Sequence, residues 1–130
     1  MSHRDVVESF PKQQFMTLIG ATLDRVGEGE VEIALPFRAD LMQHSGTLHA
    51  GVVTAIADTA CGYAALTKMP DGSNVLSVEF KINLLAPAVG ARFVAKARVV
   101  RSGKTLSVVT ADVLADDAIV ATMLATMIRR

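Results

Sequence analysis

From His49 to Leu66 the chain reads HAGVVTAIADTACGYAAL, with apolar residues at helical spacing and one charged residue, Asp58, in the middle. No Lys or Arg occurs within it, nor in the loop residues from His44 that lead into it. Burying an ionised carboxylate without a partner costs several kcal/mol. Asp58 must therefore face water or be faced by something that uses it. The rest of the run asks to be covered, and a helix of about eighteen residues is roughly 27 Å long. Whatever this chain folds into has to supply a surface of that width.

The flanking segments supply it. Before the helix, EVEIALPF alternates, with Val31, Ile33, Leu35 and Phe37 on one side and Glu30 and Glu32 on the other, the pattern of a half-buried strand. RADLMQHSGT is a loop. After the helix, MPDGSN is a turn. NVLSVEFKINLLAP then sets Val78, Phe80, Ile82 and Leu84 against Ser77, Glu79, Lys81 and Asn83. ARFVAKARVV, TLSVVTADVL and IVATMLATMI come next with short turns between them, and the last is apolar on both faces, as a central strand is. Five strands at about 4.8 Å make a sheet nearly as wide as the helix is long. The expectation is α+β: one long helix on one face of a mainly antiparallel sheet of five to six strands. The opposite face carries Thr, Ser and charged residues and is either wet or a subunit contact.

At 130 residues with 51% apolar content, a single packed domain over 1–130 is expected. Residues 1–20 read as a helical segment lying against it, with Pro11 at a start, Gly20 at a stop, and Phe15, Leu18 and Ile19 as its apolar side. Thirteen basic residues balance thirteen acidic ones, so nothing in the overall charge favours nucleic acid. Arg129 and Arg130 are adjacent but form no basic run. No segment has the ~20 apolar residues of a membrane span and no signal peptide is visible, so a cytoplasmic protein without membrane partners is expected. One cysteine, Cys61, reads as a small buried hydrophobe. No His/Cys cluster has metal spacing, so neither a metal nor a separate cofactor is expected.

On the helix, Val52, Val53, Ile56, Ala60 and Tyr63 form a core stripe. Asp58 lies on another side among Gly51, Thr54, Ala55, Cys61, Gly62 and Ala65. Small residues there either keep a face clear for a ligand or let the helix pack closely. At the helix start, His49, Ala50 and Gly51 bring backbone N–H groups without intrahelical partners. With the helix dipole, these favour an anion or a polarised carbonyl oxygen. Ala50 and Asp58 are roughly 12 Å apart along one helix, too far to act on one atom. Two helices related by a two-fold axis could join them, so a homodimer with two shared sites is expected.

GTLHAGVVTAIADTACGYAA resembles the helix signature of hotdog-fold acyl-CoA thioesterases, in the branch typified by phenylacetyl-CoA thioesterase. The usual pattern, H-G-G followed by Asp or Glu seven residues on, reads here His49-Ala50-Gly51 and then Asp58. The resemblance runs from about Val31 onward and includes NVLSVEFKINLLAPA and the RSGKTL turn. It implies a hotdog fold and hydrolysis of acyl-CoA to free acid and coenzyme A, the latter being part of the substrate. Asp58 would be the nucleophile or general base, and the N–H of Ala50 or Gly51 would polarise the thioester carbonyl. Gln43 would contact the carbonyl or the water. Ser77, from the subunit that supplies Asp58, would place the water. His49 would hold the loop, and Arg101 and Lys104, flanking a hairpin turn, would meet the phosphates of coenzyme A. Relatives also suggest a tetramer built as a dimer of dimers. Two other functions stay in view: a non-catalytic acyl-CoA-binding domain, and an enoyl-thioester hydratase, which would need a His after Asp58 that this chain lacks.

Overall fold

The computed structural model describes residues 3–130. Three short helical pieces come first: α1 (His3–Ser9), a 3-10 turn (Phe10–Lys12) and α2 (Gln14–Ile19). Strands β1 (Thr22–Gly27) and β2 (Glu30–Pro36) lead through a loop to the long helix α3 (Ala50–Leu66). Then come β3 (Val75–Leu84), β4 (Arg92–Ser102), β5 (Leu106–Ala115) and β6 (Ala118–Arg129). The six strands form one sheet in the order β1-β2-β4-β5-β6-β3, and every neighbouring pair is antiparallel. The chain leaves β2 near one edge, crosses the sheet as α3, and returns as β3 on the other edge.

Helix and sheet share one core. Val31, Ile33 and Leu35 of β2, Phe93 and Ala95 of β4, Val109 and Ala111 of β5 and Met123 and Met127 of β6 are buried against α3. On the helix, Ile56, Ala57, Ala60, Cys61, Ala64 and Ala65 are fully buried. So Cys61 and Ala65, two of the small residues grouped with Asp58, serve close packing on the sheet. At the end of α3 the buried Thr67 hydroxyl donates to Ala64 O (2.7 Å) and accepts from Gly29 N–H (2.8 Å). That pair of bonds ties the helix end to the β1–β2 turn.

β1 brings the sheet to six strands, within the expected five to six; the alternation test passes over it because Asp24 and Arg25 interrupt its short apolar pattern and its register slips between Leu23 and Arg25. Three expectations are corrected. In the amino-terminal segment Met16 and Ile19 are buried, whereas Phe15 and Leu18 are exposed. Pro11 stands at the start of the 3-10 turn rather than of α2, while Ile19 is buried and Gly20 closes α2 at φ 80° as expected. Phe37 lies beyond β2 and is exposed. In β3 the register slips between Ser77 and Glu79. One extra residue in a strand flips the parity of the residues beyond it. Ser77 pairs with Met127 and Phe80 with Ala125, both core residues, so Ser77 lies on the same sheet face as Phe80, Ile82 and Leu84 rather than opposite them.

The outer face of the sheet is largely polar. Glu32, Lys96 and Asp112 stand there in register across β2, β4 and β5, and Glu79 and Asn83 of β3 pair with Thr126 and Thr122 of β6. One rung is apolar: Leu106, Ile128 and Leu76 line up across β5, β6 and β3, and both leucines are exposed.

Candidate active site

The start of α3 has its own hydrogen-bond economy. His49 caps the helix: its Nδ1 accepts from Gly51 N–H at 2.8 Å. This fixes Nδ1 as the unprotonated nitrogen of the neutral ring. A Cβ on residue 51 would lie 3.0 Å from that same Nδ1, so the glycine makes room for the cap. Val52 N–H and Val53 N–H both donate to His49 O. Of the first four N–H groups only that of Ala50 has no acceptor among the described residues. An incoming oxyanion would therefore meet Ala50, with Gly51 as support for the cap.

Gln43 is near this helix start. Its Nε2 donates to Thr47 Oγ1 (2.6 Å) and its Oε1 accepts from Ser45 N–H (3.1 Å), so its carboxamide is oriented by its own loop. Gln43, His49 and Ala50 line a cavity of about 660 Å3 whose other walls include Leu48, Val53, Leu84, Leu85 and Pro87. It is an apolar cavity with a polar mouth, suited to a hydrocarbon group whose head must be oriented. His44, next to Gln43, is exposed.

Asp58 is half-buried on another side of α3. The bulge in β3 turns Ser77 towards it, and Ser77 Oγ donates to Asp58 Oδ1 at 2.6 Å. The second carboxylate oxygen has no hydrogen-bond partner among the described residues. Asp58 and Ser77 line a cleft of about 160 Å3 with Gln13, Thr59, Gly62 and Tyr63. The Cys61 thiol, buried on the adjoining face of α3, is pushed up to about 12, first by burial and then by the charge of Asp58. It is a core atom and stays protonated at neutral pH.

Within one chain, then, Gln43, His49 and Ala50 gather at one cavity and Asp58 and Ser77 at another. Arg101 and Lys104 fall at the end of the sheet nearer Ser77, since Ser102, Ser107, Met127 and Ser77 form one rung across β4, β5, β6 and β3. A slip between Val99 and Arg101 pairs Arg101 with Val108, which pairs with Thr126 on the outer face. Arg101 is thus on the far side of the sheet from the Asp58 cleft, while Lys104 is exposed in the turn. No group of three or more His, Cys, Asp or Glu could hold a metal ion among the described residues. Among the same residues no helix is long and apolar enough to cross a membrane.

Sequence reasoning overlooked Gln13, Thr59 and Tyr63 as neighbours of Asp58. Thr59 and Tyr63 stand four apart on the helix, and Gly62 four after Asp58, a spacing that could have marked one shared wall. Gln13 had no such signal.

Comparison with known proteins matches this architecture. The family model described as "Thioesterase superfamily" matches residues 45–122. A thioesterase family protein from Silicibacter pomeroyi has a solved structure with 44% sequence identity and TM-score 0.92, covering 95% of this chain and 94% of that one. A mutant of the phenylacetic acid degradation protein PaaI from Thermus thermophilus is 27% identical with TM-score 0.82, covering 91% of this chain and all of the other. A Halobacterium salinarum protein, named as an esterase by provisional assignment, is 30% identical over 98 residues, which are 72% of this chain and 64% of that protein. The chain thus spans less than two thirds of that relative's length. Through the matched helix and strands the chain belongs to the thioesterase superfamily, a family of thioester hydrolases, and has its hotdog fold.

Proposed function

We propose that this protein hydrolyses acyl-CoA thioesters in sites shared between two subunits, with Asp58 of one and Ala50 N–H of the other facing the same carbonyl. The observation that carries the reading is the Ser77–Asp58 pair. Ser77 spends its proton on Asp58 Oδ1, leaving its own oxygen to accept from a water held against the second carboxylate oxygen. That water adds to the thioester carbon as Asp58 takes its proton. The carbonyl oxygen becomes an oxyanion at Ala50 N–H of the other subunit. Collapse breaks the C–S bond, and the departing thiolate takes the proton from Asp58. Acid and thiol are the products, one water is consumed, and Asp58 returns to its carboxylate.

The separation of the two half-sites on one straight helix supports a dimer, as does the edge of the sheet. Phe80, Leu84 and Leu85 are 43%, 55% and 58% exposed at β3, which has no strand beyond it. An open edge with apolar side chains calls for a second strand, and a copy of β3 pairing antiparallel would provide one. The apolar row of Leu76, Ile128 and Leu106 supports pairing of two such dimers through the outer face. Light scattering of Leu106→Lys, expected to give active dimers in place of tetramers, tests that contact. An unchanged mass would remove it.

The function itself is tested by release of free coenzyme A thiol from a panel of acyl-CoAs. Asp58→Asn is expected to lower kcat/KM by about a hundredfold or more, ~2.7 kcal/mol of transition-state stabilisation. Binding without turnover across the panel would instead favour an acyl-CoA-binding domain.

A further inference from the structure

The cleft at Asp58 does not end there. Gln13, Tyr63 and Val75 line both it and a second groove of about 420 Å3, so the two adjoin at these three residues. The walls are largely polar: Thr59 and Ser77 in the cleft, then Ser9, Lys12, Ser73 and Asn74 in the groove. Ser77 and Ser9 are bonded to Asp58 and Tyr63, but a hydrocarbon chain would leave groups such as the Lys12 ammonium and the Asn74 amide unpaired, at a cost of a few kcal/mol for each one buried. The apolar cavity at the other end of α3 suits an acyl group better. The polar route suits a chain that carries its own amides.

Gln13 is placed to meet one. It lies at the break between the 3-10 turn and α2, with ψ 90°. Its N–H donates to Phe10 O and its own carbonyl accepts from Thr17 N–H. Its side-chain amide has no partner among the described residues and faces the shared stretch of cleft and groove. The break is pinned to α3: Ser9 Oγ and Tyr63 OH are 2.9 Å apart, and the rings of Phe10 and Tyr63 are 6.0 Å apart. Asp5 Oδ2 fastens α1 by accepting from Gly72 N–H at 2.9 Å.

The groove's own lining carries Asp5, Glu8 and Lys12, and the chain's last residues bring further cations next to Asn74 and Val75. Asn74 exchanges both backbone hydrogen bonds with Arg130. Arg129 pairs with Val75 and is two residues from Met127, which puts it on the cleft side of the sheet. Its N–H donates to Thr105 O, bringing the turn that holds Lys104 alongside. None of Lys104, Arg129 and Arg130 is in an ion pair among the described residues. The two acidic residues on the groove wall are engaged, Asp5 with Gly72 and Glu8 with Arg4 at 4.0 Å. Ser77 and Asn74 are three residues apart, about 10 Å along the strand. That is also about the length of three extended backbone units, comparable to a two-amide arm.

We propose that this groove holds the carrier of the thioester: Gln13 pairs with an amide of the pantetheine arm, and Arg129 with Lys104 meets the phosphates beyond it. The proposal rests on thioester hydrolysis at Asp58 and adds the direction in which coenzyme A leaves that centre. It also moves the phosphate contact from Arg101, on the outer face, to Arg129.

The test offers one acyl group on three carriers: coenzyme A, pantetheine, which lacks the nucleotide, and thiophenol, which lacks the amides as well. Arg129→Gln is expected to lower kcat/KM for the coenzyme A thioester roughly tenfold more than for the pantetheine thioester, the scale of a lost charged hydrogen bond. Gln13→Ala is expected to penalise both of these about fivefold more than the thiophenol ester. Equal factors on all three carriers, or a penalty that tracks the acyl group instead, would overturn the proposal. If the native protein hydrolyses none of them, the assigned activity fails by itself. Titration of coenzyme A then judges the groove: binding weakened by both substitutions sustains it, and absent or unchanged binding removes it.

Discussion

Ser77 Oγ sits 2.6 Å from Asp58 Oδ1, nineteen positions away in the chain, because a one-residue bulge in β3 turns the serine onto the helix side of the sheet. Deleting only the hydroxyl tests what this contact does. Ser77→Ala removes one solvent-accessible hydrogen bond, so unfolding free energy should change by no more than about 1 kcal/mol. kcat should fall by roughly ten- to a hundredfold, with KM little changed, since the water would lose a holder needed only in the chemical step. Steady-state kinetics beside a urea titration read both. A fall in stability that accounts for the lost activity would make Ser77 merely structural.

His49 should behave as a cap and not as a proton carrier. Its Nδ1 is already occupied by Gly51 N–H, so His49→Ala removes an N-cap and should cost about 1 kcal/mol. Asparagine is a strong N-cap residue that cannot transfer protons at neutral pH. His49→Asn should restore both melting temperature and turnover to within a few-fold of the native protein. Restored stability with turnover still absent would instead make the imidazole a chemical participant.

Cys61 makes a pH-dependent prediction. Burial, and then the charge of Asp58, raise the thiol from 9.0 to about 12 in the folded chain. In the unfolded chain it ionises near its ordinary value. Between these pH values the folded state holds the extra proton, so stability falls as pH rises from about 9 towards 12. Below that window the contribution is constant. Cys61→Ala should flatten the alkaline slope of the unfolding free energy. At neutral pH a thiol reagent should label Cys61 only after denaturant is added, and rapid labelling of the native protein would contradict the burial.

These outcomes depend on features that differ in how far local sequence encodes them. β2 and α3 were legible because Val31, Ile33 and Leu35 repeat every second residue and the helix stripe every third or fourth, and side-chain direction tracks backbone period. Asp58 stood out as a lone charge in an apolar run. The placement of Ser77 was not legible. VLSVEFKINL alternates evenly, and nothing local announces that pairing with β6 will add a residue between Ser77 and Glu79. β1 escaped because Asp24 and Arg25 break its pattern, and an edge strand needs only one covered side. Gln13 reaches the Asp58 cleft through the anchoring of Ser9 and Phe10 on Tyr63, a contact between segments about fifty residues apart. Such placements belong to tertiary packing, which periodicity does not report.

The shared site can be tested by complementation. Ala50 is the first residue of α3, where proline is well tolerated because its missing N–H would have no intrahelical acceptor. His49 has φ −57° and ψ 134°, an extended conformation suited to the position before a proline. Ala50→Pro therefore removes the one N–H proposed for the oxyanion while leaving the His49–Gly51 cap in place. Alone it should lose about a hundredfold in kcat, as should Asp58→Asn. Unfolded together and refolded at equal amounts, about half of the dimers would carry one of each chain. In every such dimer one site has both defects, and the other pairs an intact Asp58 with an intact Ala50 N–H. Activity should return to about a quarter of the native level, far above the sum of the two inactive parents. If both groups acted within one chain, every site in the mixture would keep one defect and no activity would return.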